Sequence, residues 1–230
     1  MKQNKSIFLF IIILLAAVFL RFYRLDAIPP HPSLDEVSIG YNAYSILQTG
    51  KDEFGYKLPI LLRAYDDWRP AHYAYLVIPF VKSFGLNVFA VRLPSVLLSI
   101  AAIISVYFLV IGIFNKYKNK EILALITAGL LSISPWHIYI SRLGHEVNLF
   151  FSTFIFGLTF FYLYLGKKRG YFLILSSLSF ALSFSSYQSG KLFIPIILIA
   201  LTVIYYKELL KKKFFSLLNA VIFIVVSLPI

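Results

Sequence analysis

Four polar stretches in this apolar chain hold residue types that could do chemistry. The first is Ser33-Leu34-Asp35-Glu36, two adjacent carboxylates behind a serine. The spacing fits a capping box, in which Ser33 caps the first turn of a helix and Glu36 reaches back to the Ser33 amide. The box does not need the Asp35 carboxylate. At a helix N-terminus beside a bilayer it can be held ionised and ready to accept a proton, which makes Asp35 a candidate general base. Glu36 completes the candidate catalytic pair, either shaping the helix start or assisting binding. The plain alternative is that both acids only open a helix and suit its positive end.

The second stretch is Asp66-Asp67-Trp68-Arg69-Pro70. The planar fork of donors on Arg69 suits a phosphate, although an arginine in a solvated loop would also meet ordinary lipid headgroups. His72 reads as an interfacial side chain. In the third stretch, Arg142 and Glu146 are four apart, a spacing that would put them on one helix face. They are either a simple intrahelical ion pair or polar groups that bind substrate or a metal where a span meets the membrane surface. His137 and His145 could join Glu146 around a metal, without the strict spacing of a dedicated site. The fourth stretch places Tyr187, Gln188 and Lys191 together, with Lys191 either pairing with a lipid phosphate or snorkelling.

The elements that must position these residues are membrane helices. The 230 residues are 60% hydrophobic and 18% aromatic, more apolar surface than a soluble domain can hide. Apolar runs read as spans at 7–22, 91–114, 122–134, 147–165, 171–187, 192–206 and 214–230, the third short enough to need extension through Pro135 and Trp136. No small-residue cleavage site follows the first, so it reads as an uncleaved span. In lipid each span is a helix, since backbone groups there find no other partners outside a closed barrel. The absence of cysteine excludes disulfides and Cys-based metal sites.

The net charge of +12 could suggest nucleic acid on a soluble protein. Here the basic clusters sit in short loops between spans, which indicates membrane topology and no nucleic-acid partner. Lys2 and Lys5, 116–120, 167–169 and 207–213 fall on one side, and the positive-inside rule makes that side the cytoplasm. The other face then carries the loop from about 25 to 90, with 134–146 and 186–191, and eight of the ten acids. For this alternation, 72–85, which contains Pro79 and Lys82, has to lie in the interface as an amphipathic helix and not cross. Leu34, Val37, Tyr41 and Tyr44 share a helical face that could rest on the membrane surface.

Residues 34–60, 66–97, 134–149 and 186–196, in that order, resemble the N-terminal half of bacterial family 39 glycosyltransferases, relatives of protein O-mannosyltransferases and lipid A aminoarabinose transferases. The shared features are an acidic pair soon after the first span, an FG…RLPS approach to the next span, and an SR…E loop. The resemblance implies an all-α polytopic GT-C helix bundle in the plasma membrane, with its active site at the outer face. It implies a sugar donor on polyprenyl phosphate, an acceptor hydroxyl on protein, lipid or glycan, and membrane lipids as surroundings. No cofactor is required, and a divalent metal is compatible with the chemistry. By the same resemblance Asp35 acts at the catalytic centre, Arg69 contacts the donor phosphate, and Glu146 is the outer acid at the start of a later span; Lys191 stands beside Arg69 as a second candidate for the phosphate. Residues 1–230 would form the N-terminal portion of the transmembrane module, with the family's later helices and C-terminal region lying beyond it. A transporter or flippase of lipid-linked sugars, or an inactive fragment, are the competing readings. Transporters concentrate polar groups near the midplane, whereas here they gather in a long loop.

Overall fold

The computed structural model describes residues 3–64, 67–211 and 213–227. Asp66 and the last residues of the final expected span, 228–230, lie outside the described residues. In chain order the elements are α1 (Gln3–Phe22), α2 (Leu34–Thr49), β1 (Leu61–Ala64), β2 (Asp67–Pro70), α3 (His72–Phe84), α4 (Val88–Ile113), α5 (Lys120–Ile133), α6 (Pro135–Ser141), α7 (Glu146–Lys167), α8 (Gly170–Ser186), α9 (Gly190–Leu210) and α10 (Lys213–Ser227). The two strands pair antiparallel, with Leu62 opposite Arg69. Everything else that is regular among the described residues is helix, and the chain is an all-α polytopic membrane protein.

Among the described residues α1, α4, α7 and α9 are long and apolar enough to cross a bilayer, and α5 with α6 would make a fifth span. The expected extension of that span through Pro135 and Trp136 is present, but with a bend. The helix breaks at Ser134 and α6 leaves at 61°. Pro135 lacks an N–H and would disrupt a helix interior, but it is tolerated in the first turn of a new helix, where it stands in α6.

Helix α4 runs through the middle of the bundle, packing on α1, α5 and α7. One apolar cluster joins α1, α4, α5 and α7, and a second joins α7, α8 and α9. A third lies under α2 and α3, where Ile39, Ala43 and Ile46 meet Tyr73, Ala74 and Val77. With 13 residues, α3 is about 20 Å long, too short for a hydrocarbon core of about 30 Å. It lies against α2 and α4 instead. The other face of α2, with Leu34, Val37, Tyr41 and Tyr44, is exposed along its length.

The two ends of the bundle differ chemically. At one end Ser6 donates to Glu121 at 2.6 Å, and Lys168 and Lys211 hold Glu208 at 2.6 and 2.9 Å. The loops 116–120 and 167–169 lie there too. The opposite end carries α2, the hairpin and α3, and it gathers the other acids among the described residues.

Candidate active site

Three buried arginines build the acid-rich end. Arg142 donates to the carbonyls of Leu20, Arg21, Tyr23, Arg24 and Ile28, at 2.7–3.2 Å. It therefore satisfies carbonyls that the C-terminus of α1 leaves without helical partners, and places a cation at the negative end of that helix. Arg21 does the same for α5, donating to Ser132 at 2.9 Å and Leu131 at 3.4 Å, and it also meets His137 Nδ1 at 2.8 Å. Arg92, fully buried in α4, holds the carbonyls of Leu25, Pro29 and His31 at 2.9–3.1 Å. The turn between α1 and α2 is thus folded onto two guanidinium groups.

Glu36 completes this frame. Its carboxylate is buried and takes Arg92 Nε at 2.7 Å and Nη2 at 3.2 Å, a bidentate pair. It also closes the capping box, accepting from the Ser33 amide at 2.8 Å while the Glu36 amide donates to Ser33 Oγ at 3.2 Å. A fourth contact, from the Gly144 amide at 3.0 Å, joins the α6–α7 loop to the start of α2. Burial alone would raise the Glu36 pKa. Arg92 and the amides of Gly144 and Ser33 outweigh it and hold the group below the usual carboxylate range. Gly144 is needed for this approach, because a Cβ there would stand 2.6 Å from Val91 Cγ1 and 2.9 Å from its carbonyl. A hydroxyl fixes α4 on its other side. Tyr73 donates to Val91 O at 3.0 Å and accepts from Ser95 N at 3.1 Å, so it is inserted into the helix ladder beside Pro94. Asn148 then binds Ser95 O and Oγ at 2.7 and 2.8 Å, tying the first turn of α7 to α4.

What this frame positions is a cavity of ≈ 280 Å³ whose wall includes Asp35, Arg69, His145, Glu146, Tyr187 and Gln188. Arg69 Nη2 lies 2.9 Å from Asp35 Oδ1, and Arg69 Nη1 lies 3.9 Å from Glu146 Oε1. His145 bridges the two acids, with Nε2 3.3 Å from Asp35 Oδ2 and Nδ1 3.1 Å from Glu146 Oε2. The Asp35 side chain is 43% exposed and that of Glu146 only 5%. Glu146 Oε1 is buried and accepts no hydrogen bond. A buried carboxylate oxygen without a donor, on the wall of a cavity, is suited to receive a hydroxyl from a ligand.

Of the residues singled out in the sequence, Asp35, Arg69, Glu146, Tyr187 and Gln188 come together here. Lys191 is exposed at the start of α9 and does not line the cavity. The shared helix face of Arg142 and Glu146 is a correction: α6 ends at Ser141 and α7 begins at Glu146, and Arg142 is turned into the wall to hold carbonyls. The catalytic pairing of Asp35 with Glu36 separates in the same way, since Glu36 points inward to Arg92 while Asp35 points to Arg69. His137 is beside Arg21, away from His145 and Glu146, and His72 meets Ser185 Oγ at 3.4 Å. Among the described residues no group of three or more His, Cys, Asp or Glu side chains is arranged to hold a metal ion. A guanidinium, that of Arg69, already stands between the two acids that face the cavity. In the sequence Arg92 stood only as the arginine of the RLPS motif, with no role of its own. Its signal was an arginine in the first turns of an apolar span, which requires a buried partner.

A family model for dolichyl-phosphate-mannose-protein mannosyltransferases matches residues 69–230. A membrane helix bundle with an acid- and arginine-lined cavity at one end defines the class, and the chain belongs to that family. It is a membrane glycosyltransferase of the mannosyltransferase type. The match takes in Arg69, Glu146 and Tyr187, while Asp35 precedes it and joins the site through its contact with Arg69. No curated protein and no solved structure matches the chain.

Proposed function

We propose that the chain transfers a sugar from a polyprenyl-phosphate donor to an acceptor hydroxyl at the outer face of the plasma membrane, with inversion. The observation that carries this reading is the pairing of Arg69 with Asp35 at 2.9 Å inside a cavity at the acid-rich end of the bundle. A donor phosphate competes for the guanidinium, which binds phosphate through the same fork it now offers to carboxylates. Its arrival releases Asp35 Oδ1. The freed carboxylate takes the proton of the acceptor hydroxyl, the acceptor oxygen bonds to the anomeric carbon, and the carbon–oxygen bond to phosphate breaks on the opposite face. The electron pair of that bond leaves with the lipid phosphate, whose charge Arg69 stabilises. Glu146 offers Oε1, which accepts no hydrogen bond, to a sugar hydroxyl. A second cavity of ≈ 430 Å³, lined by Leu34, Val37, Tyr41, Phe54 and Arg63, adjoins the first at Ala64 and leaves room for the body of the acceptor.

Arg69→Ala is expected to raise the donor KM roughly 10–100-fold, the worth of a charge-assisted hydrogen bond. Arg69→Lys should lose less, because it keeps the charge without the fork. Steady-state kinetics with polyprenyl-phosphate mannose measures both, and unchanged donor use in the two variants would reduce Arg69 to a headgroup contact.

Topology is tested separately. The chain has no cysteine, and Thr49 and Asn119 are both exposed. Cysteines placed there should react with a membrane-impermeant thiol reagent from opposite sides, position 49 from outside intact cells and position 119 only after permeabilisation. Labelling of both from one side would sink the orientation.

A further inference from the structure

Asp35 has two holders in the cavity, and the reaction removes one of them. Arg69 contacts Oδ1, and the donor phosphate takes Arg69 away. What remains is His145, at Oδ2. From this geometry we infer that His145 is the positioning residue that keeps Asp35 aimed once the donor is bound, an inference that rests on the reading of Asp35 as the general base.

The orientation of the imidazole follows from the helix it caps. His145 is the N-cap of α7, with φ −138° and ψ 150°, and the Val147 amide donates to its Nδ1 at 3.2 Å. A neutral imidazole has one N–H and one lone pair. If Nδ1 accepts, the hydrogen is on Nε2. If the ring is cationic, both nitrogens carry hydrogen, and Nδ1 turns its proton to Glu146 Oε2 at 3.1 Å. In either state an Nε2–H faces Asp35 Oδ2; the other neutral tautomer, with its hydrogen on Nδ1, sets N–H against the Val147 N–H and the Nε2 lone pair against a carboxylate oxygen, and is disfavoured on both sides. The groups around the ring are Asp35 from α2, Arg69 from β2, Glu146 from α7 and the Tyr187 ring at the end of α8, whose centroid is 6.3 Å away.

Two consequences follow. His145 is a donor to Asp35 in both states, so it does not take a proton from that carboxylate; its role is aim. And because it occupies Oδ2, the oxygen that Arg69 vacates, Oδ1, is the one left to accept the hydroxyl proton. The cap also ties this orientation to the frame, since the neighbouring Gly144 amide is held by Glu36 at 3.0 Å.

Two substitutions separate the cap from the contact with Asp35. The amide of asparagine stands near the place of Nδ1, so His145→Asn retains a strong helix cap but cannot reach Asp35. The amide of glutamine extends to the place of Nε2, so His145→Gln offers an N–H to Asp35 and caps poorly. The full-length protein in proteoliposomes is assayed with polyprenyl-phosphate mannose, reading mannose release to water or to an added hydroxyl acceptor, together with thermal unfolding. His145→Asn is expected to keep the melting temperature and donor KM of the parent while kcat falls roughly 10–100-fold, the worth of one hydrogen bond to a charged group. His145→Gln should melt lower and recover most of kcat. In an Asp35→Asn background, His145→Asn should cost nothing further. A kcat within about twofold of the parent in His145→Asn, or glutamine no better than asparagine, overturns the inference. If instead Asp35→Asn alone turns over normally, it is the reading of Asp35 as base that has failed.

Discussion

Asp35→Asn is expected to lower sugar transfer by roughly two to four orders of magnitude, the usual contribution of a positioned general base. The amide has the size of the carboxylate and can still accept from His145 Nε2, but it cannot take the acceptor proton. The fold has no reason to change. The capping box is carried by Ser33 and Glu36, and the Asp35 side chain is 43% exposed at the cavity wall. The measurement is kcat with polyprenyl-phosphate mannose in proteoliposomes, beside thermal unfolding of the same preparation. Near-normal turnover in well-folded protein would take Asp35 out of the mechanism and leave it as a helix-start residue.

Glu36→Gln is expected to act the other way round, on stability first. Glutamine preserves the outline of the capping box, so from the sequence this change would be expected to be mild. The contacts argue differently. Arg92 is fully buried and its carboxylate partner is Glu36, at 2.7 Å. Removing the negative charge leaves a buried guanidinium uncompensated, which costs about 3–5 kcal/mol. Thermal unfolding in detergent or proteoliposomes should show the loss, and replacing both partners, as in Glu36→Gln with Arg92→Met, should recover part of it. An unshifted Glu36→Gln melt would mean that the pair is not fully desolvated. The pH dependence has a definite sign. The folded pKa of Glu36 lies below its ordinary value, so this carboxylate contributes stability above the ordinary glutamate range and loses it as pH falls through the depressed folded value. Glu36→Gln should remove that part of the acid sensitivity.

These two adjacent acids show what local pattern can and cannot resolve. Successive positions on an α-helix differ by about 100° around the axis, so neighbours in sequence face different surroundings. Which of Asp35 and Glu36 faces inward depends on where α4 places Arg92, 56 residues further on. The capping box was readable because every contact in it is within three residues. The same holds for the exposed stripe Leu34, Val37, Tyr41 and Tyr44, which follows from helical period alone. Arg142 and Glu146 show the reverse. Their i, i+4 spacing signals a pair only if a helix is continuous between them, and the chain breaks between Ser141 and Glu146 because Arg142 and Gly144 have distant partners: the carbonyls at the end of α1, and Glu36.

By itself, then, the amino-acid sequence determined that the bilayer is the solvent, which segments are helical in it, that the basic loops share one end, and that the chemistry-bearing residues collect at the other. Those properties come from composition and from contacts along one segment, where lipid leaves the backbone few alternatives. Only the tertiary structure decided which polar side chains build the frame and which face the cavity. Arg21, Arg92, Arg142 and Glu36 turn inward because buried charges and helix-end carbonyls must satisfy one another at any distance along the chain. Asp35, Arg69, His145 and Glu146 meet at the cavity because that frame brings α2, the hairpin and α7 to one place.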